Sequence, residues 1–355
     1  MPPREVVAYY DRFAEETRLA TGPSRLEFER TKEILARLLP KPPARVLDVG
    51  GAAGAYSVWL AAKGYDVHLV DASARLVEAA RTLNATLARP IASLTVADAR
   101  SLPQADRFAH VVLLMGPLYH LSDAIDRRAA LREADRVLAP SGTIVVAAIS
   151  RYASTLDGLA RNLTADPAFV RIRDRDLRNG RHRNDTDRPD YFTTAYFHRP
   201  EELQRELEDA GFAAVRVLGV EGPGWMIADF DSRWAERRAR ADLVAIARAL
   251  EEEPSIRGAS AHLLGAGRKP RWKPKELTRT PMSKKPAATH PNADAFPPGI
   301  GGPALRALAN AGIRSMSDLS RRSEAELAAL HGMGPKALSI LKSALAASGG
   351  RLRKA

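Results

Sequence analysis

The stretch Arg45-Val-Leu-Asp-Val-Gly-Gly-Ala-Ala-Gly-Ala-Tyr56 constrains this chain more than any other. Residues 46–49 have the continuous apolar character of a parallel strand buried on both faces, broken only by Asp48. Gly50, Gly51 and Gly54 then predict a tight turn, and residues 57–63 begin a helix. Glycines suit such a turn because the backbone bends sharply and passes close to whatever binds there, where a side chain would clash. The start of the helix adds a cluster of N–H groups with no partner inside the helix. A strand, a glycine turn and a helix in this order belong to an α/β sheet that holds a ligand beyond its strand ends.

Three acidic residues narrow the ligand. Asp48 sits in the strand just before the turn, where a carboxylate suits a cation and repels a pyrophosphate. A second strand over 65–70 ends in Asp71, placed for ribose hydroxyls. A third over 94–97 ends in Asp98-Ala99-Arg100, placed for an adenine amino group. Together they describe a cationic nucleoside better than a dinucleotide, with a NAD-type Rossmann protein as the alternative.

With these motifs, residues 5–270 resemble the class I S-adenosylmethionine (SAM)-dependent methyltransferases. The resemblance implies a Rossmann-like α/β fold with a seven-stranded, mostly parallel sheet between helices. It implies SAM as the cofactor, bound around Asp48, Gly50, Gly51, Ala52, Gly54, Asp71, Ala72, Asp98, Ala99, Met115 and Gly116. The family pattern reads acidic-x-Gly-x-Gly-x-Gly; here Ala52 replaces the middle glycine.

A fourth strand over 108–115 runs into Met115-Gly116-Pro117-Leu118-Tyr119-His120-Leu121. Ligands in open α/β sheets sit beyond the carboxyl ends of strands, so a methyl acceptor should meet the cofactor here. Enzymes that methylate exocyclic amines of bases carry Asn/Asp-Pro-Pro-aromatic at this point. Gly116-Pro117-Leu118-Tyr119-His120 instead resembles a group of small-molecule methyltransferases. His120 and Tyr119 are the catalytic candidates: a neutral imidazole can take a proton from the acceptor. The alternative for His120 is a helix cap or a bond to a backbone carbonyl. Transfer to an unprotonated amine needs mainly alignment.

Two segments are expected to cover the site. Residues 5–19 carry Val6, Tyr9, Tyr10 and Phe13 at helical spacing, with Tyr10 a candidate to face the ligand or to pack as a core aromatic. Residues 153–195 fit no sheet strand, alternate Arg with Asp, and lie where this family places its substrate lid. His182, Tyr191, Tyr196 and His198 are candidates to line the acceptor pocket. Asn179-Gly180 reads as a turn of a small hairpin, and most of the charges as a solvated helix face.

The chain has no cysteine, which removes thiolate chemistry and fits a reducing interior. No apolar run is long enough to span a membrane, and Met1-Pro-Pro-Arg-Glu lacks a signal-peptide core, so a cytoplasmic location is expected. No metal ligand set is expected. The net charge of +12 is uneven. Residues 1–264 hold 37 Lys+Arg and 37 Asp+Glu, whereas the remaining 91 residues hold 17 and 5. Any pull on nucleic acid therefore belongs to the C-terminal part.

That part begins with a basic, Pro-rich linker over 271–295. Residues 296–348 follow with two Gly-apolar-Gly turns, at Gly299-Ile-Gly and Gly332-Met-Gly, each leading into a helix. They resemble the helix-hairpin-helix module and, as a unit, the C-terminal domain of the bacterial RNA polymerase alpha subunit. The resemblance implies an all-α domain whose backbone N–H groups hold a nucleic-acid phosphate without reading bases. Gly332, Gly334 and Lys336 would make that contact with DNA or RNA; the alternative is a protein contact. The sequence thus points to a methyltransferase acting on O or N of a small-molecule acceptor, with an accessory helix-hairpin-helix module. The alternatives are a nucleic-acid methyltransferase recruited by its tail and a non-catalytic SAM-binding regulator.

Overall fold

The computed structural model describes residues 6, 9–10, 15–271, 296–297, 300, 302–313, 315–330, 332–347 and 350–353. The chain divides into two units, Met1–Glu276 and Leu277–Ala355. Of the expected linker over 271–295, all but Arg271 lies outside the described residues. No helix among the described residues is long and apolar enough to cross a membrane.

In the large unit, α1 (Glu15–Arg18) and α2 (Ser24–Leu38) precede β1 (Arg45–Val49). Next come α3 (Ala55–Ala62), β2 (Asp66–Asp71), α4 (Ala74–Asn84), β3 (Ser93–Val96), β4 (Ala109–Leu114) and α5 (Pro117–His120). Then follow α6 (Ala124–Val137), β5 (Leu138–Ser150), α7 (Ala153–Ala160), α8 (Pro167–Asn179), β6 (Arg181–His182) and β7 (Ala195–His198). The unit closes with α9 (Pro200–Asp209), β8 (Ala213–Gly219), α10 (Phe230–Ala235), α11 (Arg237–Leu250) and β9 (His262–Arg268).

The strands β3-β2-β1-β4-β5 are parallel neighbours, β9 joins β5 antiparallel, and β8 joins β9 antiparallel. This run of seven is the expected sheet, but the whole sheet has nine strands. Of the two extra strands, β6 lies inside the segment 153–195 that fits no sheet strand by sequence, and β7 begins at its end. Pairing of β4 with β5 stops at Leu114↔Val146, so β5 runs on with an unpaired edge. β7 takes that edge at Ile149↔Phe197 and Ser150↔His198, and β6 pairs with β7. Buried backbone groups need partners, and the insertion supplies them. Gly180 is not a hairpin turn: with φ +73 it ends α8, and residues 183–194 connect β6 to β7.

The buried run on the central strands splits by period two between two cores. Ile144, Val146 and Ala148 of β5 pack with Leu131 and Ala134 of α6 and Leu203 of α9. Val145 and Ala147 face the other way, toward Ile34 of α2, Leu60 of α3 and Val77 of α4. Each fully buried aliphatic side chain here contributes about 1.5–3 kcal/mol. α10 and α11 are separate helices, because the Glu236 carboxylate accepts from the N–H groups of Arg238 and Ala239 and starts α11 anew.

The small unit contains α12 (Gly302–Asn310), α13 (Met316–Ser320), α14 (Glu324–Ala328) and α15 (Pro335–Ala347). Leu308, Ile313, Leu319, Leu327 and Leu341 form its core, and Ser323 with Glu326 makes a capping box at the start of α14. Leu305 on α12 is 40% exposed.

Candidate active site

Parallel pairing brings the carboxyl ends of β1, β2, β3 and β4 to one edge of the sheet. The glycine turn crosses that edge. Gly50 has φ +76 and donates its N–H to the Val70 carbonyl at 2.7 Å; a Cβ there would lie 2.3 Å from Cδ of Pro117. Ala52, the departure from the family pattern, adopts φ +48. That conformation costs an L-residue about 1–2 kcal/mol. The Ala52 N–H, however, donates to Asp71 Oδ2 at 2.9 Å, which holds the residue in place.

Over this edge lies a cavity of about 410 Å3. Gly50, Gly51 and Ala52 line it, as do Asp71 and Ala72, Asp98 and Ala99, and Met115 and Gly116. Asp48 and Gly54 do not. Asp48 is fully buried behind the turn and accepts from the Ser57 hydroxyl at 2.7 Å through Oδ2, while Oδ1 has no partner. Gly54, at φ +93, is the residue from which α3 starts. These two shape the turn from behind. Burial pushes the Asp48 carboxyl up to about 6, against the Ser57 hydroxyl, and nearby Asp71 adds to the rise.

Asp71 accepts N–H bonds from Ala52 and Ser73, one on each oxygen, and burial raises its carboxyl above the ordinary value. Asp98 is clasped by Arg100, at 3.0 Å from Nε and 2.7 Å from Nη2, which holds its carboxyl well below the usual range. The N-terminal segment supplies another wall through Val6, Tyr10, Glu16 and Arg18. Arg75 on α4 clamps that segment, pairing with Glu16 and donating to the Tyr10 carbonyl at 2.7 Å.

A second cavity, of about 520 Å3, shares Tyr10, Arg18 and Tyr119 with the first. Its other walls come from the insertion after β5, with Asp157, Phe169, Tyr191 and Phe192, and from Trp225 and His262. His120 lines the first cavity. Its Nδ1 lies 3.3 Å from the Thr194 carbonyl, which can only accept, so Nδ1 carries the proton. Nε2 is then the acceptor and takes the Tyr10 hydroxyl at 2.8 Å. Burial pushes the imidazole down to about 4, although the Thr194 carbonyl works the other way, so the ring is neutral at pH 7.

The other candidates divide. His182 lines the second cavity, but both ring nitrogens are engaged, by Asp176 and by the Tyr191 carbonyl, each at 2.8 Å. Tyr196 and His198 line neither cavity. Residues alternate sides along a strand. On β7, Ala195 and Phe197 pack toward Tyr119 and Phe192, which turns Tyr196 and His198 away. Tyr196 lies under the Arg127 guanidinium at 3.8 Å, and the His198 Nε2 is 3.3 Å from Glu206.

One charged group went unread in the sequence. His262 lies between Glu221 and Glu27, its Nδ1 2.5 Å and 3.7 Å from their carboxylates, and Arg18 sits on Glu27 at 2.6 Å. Burial opposes a charged ring, but the two carboxylates outweigh it and hold His262 up to about 9. The ligand atoms of Glu27, Glu221 and His262 lie within 4.8 Å of one another. Arg18 and the ring proton supply the positive charge at that point. Arg18, Glu27, Glu221 and His262 come from distant parts of the chain, and no local spacing announces them.

In the small unit Gly332 has φ +99, nothing lies within 4 Å of a Cβ built on Gly334, and Lys336 is exposed at the start of α15. Lys342 on the same helix is paired with Glu324 at 2.6 Å. Gly299 and Gly301 of the first expected turn lie outside the described residues.

Residues 46–142 match the family described as "Methyltransferase domain". Among solved structures, the chain is similar to a SAM-dependent methyltransferase from Methanosarcina mazei. They are 18% identical over 67% of this chain and 97% of that one, with a TM-score of 0.46. It is also similar to one from Mesorhizobium loti, at 19% identity over 69% and 100% of the two chains and a TM-score of 0.46. A search of curated proteins gives no match.

Proposed function

We propose, from the premise that residues 46–142 form a methyltransferase domain and that the chain is an enzyme with SAM as its cofactor, that it methylates O or N of a small-molecule acceptor held in the second cavity. The observation that carries this reading is the meeting of the two cavities at Tyr10, Arg18 and Tyr119. One cavity has a glycine turn and acidic strand ends; the other has apolar and aromatic walls.

The residues present fit the cofactor. Each Asp71 oxygen carries one N–H bond and keeps a second acceptor direction, enough for two ribose hydroxyls. The bare backbone at Gly50 and Gly51 lets a ligand approach closely. Asp48, with one oxygen unpartnered, places a negative potential behind the turn. Bound there, the cofactor supplies a methyl group on a positively charged sulfur.

Tyr119 and Tyr10 then position the acceptor atom at the junction of the cavities. The Tyr10 hydroxyl can accept a proton from the acceptor while donating its own to Nε2 of His120. Lowering His120 from 6.5 to about 4 makes it a weaker proton acceptor by about 3 kcal/mol. The site therefore works chiefly by alignment and exclusion of water, with the dyad taking a proton only as the new bond forms.

SAM binding to the full chain by calorimetry, followed by labelled methyl transfer scored against a metabolite extract, tRNA and DNA, tests the reading. Binding with label in small molecules is expected. Label in nucleic acid alone overturns the acceptor class, and absence of SAM binding overturns the site.

A second reading concerns the small unit. The exposed Lys336, the positive φ at Gly332 and the open space beside Gly334 favour phosphate contact at the start of α15. Binding of DNA and tRNA that weakens with salt and with Lys336→Gln is expected; salt-independent or absent binding excludes it.

A further inference from the structure

The second cavity is unusual in what lines it. The chain has only 9 Phe, 8 Tyr and 4 Trp, and eight of these face that one space. They come from four places: the N-terminal segment, α5, the insertion after β5, and the turn holding Trp225. Aromatic faces carry negative potential and attract cations.

Within these walls stands one incompletely matched carboxylate. Asp157 lies on α7, whose Ala153, Ser154 and Asp157 all line the cavity, as residues three and four apart on a helix must if one of them does. Its Oδ2 accepts from Arg161 at 3.0 Å, and Oδ1 has no hydrogen bond among the described residues. Arg161 also reaches Asp190, at 3.5 Å, a carboxylate that Arg188 holds more closely at 3.2 Å. Burial raises the Asp157 carboxyl above its ordinary value in spite of Arg161, as incomplete compensation requires. The cations on the other wall are spent: Arg18 on Glu27 and His262 on Glu221.

Position separates this carboxylate from the point of transfer. Ala153 packs against the Ile149, Ala195 and Phe197 cluster that also carries Tyr119, beside the junction of the two cavities. Asp157 is one helical turn farther along α7, about 6 Å at 1.5 Å per residue. A divalent metal would need several oxygen ligands converging, and here Arg161 stands between the two carboxylates.

We propose that the acceptor carries an ammonium group, seated on Asp157 between the aromatic walls and distinct from the atom that is methylated. The inference rests on the reading of this cavity as the acceptor site. It follows that an ammonium held this way keeps its proton, has no lone pair, and leaves the methyl group to another atom nearer Tyr119. Asp157 is then a specificity-determining residue.

The test uses the full chain loaded with S-adenosylhomocysteine and matched pairs of ligands: tyramine against 4-ethylphenol, and tryptamine against 3-ethylindole. Calorimetry should find at least one amine bound about tenfold or more tighter than its neutral partner. Asp157→Asn should reduce that preference to within about twofold while leaving the affinity for S-adenosylhomocysteine unchanged. Arg161→Gln, which removes the competing cation, should keep or enlarge it. Equal affinity within both pairs, failure of both amines to bind, or a preference that survives Asp157→Asn overturns the proposal. Loss of S-adenosylhomocysteine binding in the unsubstituted protein instead overturns the proposed function beneath it.

Discussion

The His262 clamp predicts a loss of stability in a defined pH window. In the folded chain Glu27 and Glu221 hold the imidazole up to about 9, against an ordinary value of 6.5. The folded value is the higher one, so the stabilisation is complete below 6.5 and disappears as pH rises through 9. At 1.36 kcal/mol per tenfold change in proton affinity, this amounts to about 3 kcal/mol. Asp48, at about 6, and His120, at about 4, titrate below this window. Trp59, Trp225 and Trp234, three of the four Trp residues, lie in the described part of the large unit, so a change in their emission reports its unfolding. Urea unfolding at intervals from pH 6 to 9.5 should show the wild type losing about 3 kcal/mol. His262→Gln should start lower and stay flat. Parallel curves for the two proteins would refute the clamp, since the pH dependence would then come from elsewhere.

Three further outcomes follow from the first cavity. Gly50→Ala places a Cβ 2.3 Å from Pro117 Cδ at φ +76; it should destabilise the large unit by about 2 kcal/mol or more in thermal melts. An unchanged melting temperature would mean that the turn adopts another shape. Asp71→Ala removes the acceptor for the Ala52 and Ser73 N–H groups and, on the proposed reading, the partner of the ribose hydroxyls. SAM affinity by calorimetry should fall about tenfold to a hundredfold, and unchanged affinity rejects the assignment. Tyr10→Phe removes the hydroxyl bonded to His120. It should lower the methyl-transfer rate by about tenfold or more with little change in SAM affinity; equal loss of both makes the dyad structural.

Much of the wall of the first cavity was legible in the sequence because its parts are local. A strand, a turn and an acidic strand end are each written in a few consecutive residues. Gly50, Gly51, Ala52, Asp71, Asp98 and Met115 therefore appear where their strand ends appear, along one edge. Asp48 and Gly54 stand behind the turn and not in the cavity wall, since sequence gives position along the chain and not the side of the backbone on which a group points. β6 and β7 were invisible for a different reason. They are two and four residues long, and only the unpaired edge of β5 beyond Leu114 makes them strands.

The second cavity divides the same way. The insertion after β5 was readable as a segment outside the sheet plan, and it does wall the second cavity. Which of its residues face inward depended on the register of β7. That register sends Phe197 in and Tyr196 and His198 out. The sequence by itself determined the α/β class, the glycine turn, the acidic strand ends and the uneven charge, since all of these rest on short-range periodicity and composition. Only the tertiary structure decided that Tyr10 would meet His120, that His262 would be trapped between Glu27 and Glu221, and that Asp157 would stand half-compensated among aromatic rings. Burial, low dielectric and the pairing of distant charges exist only once the chain has closed on itself.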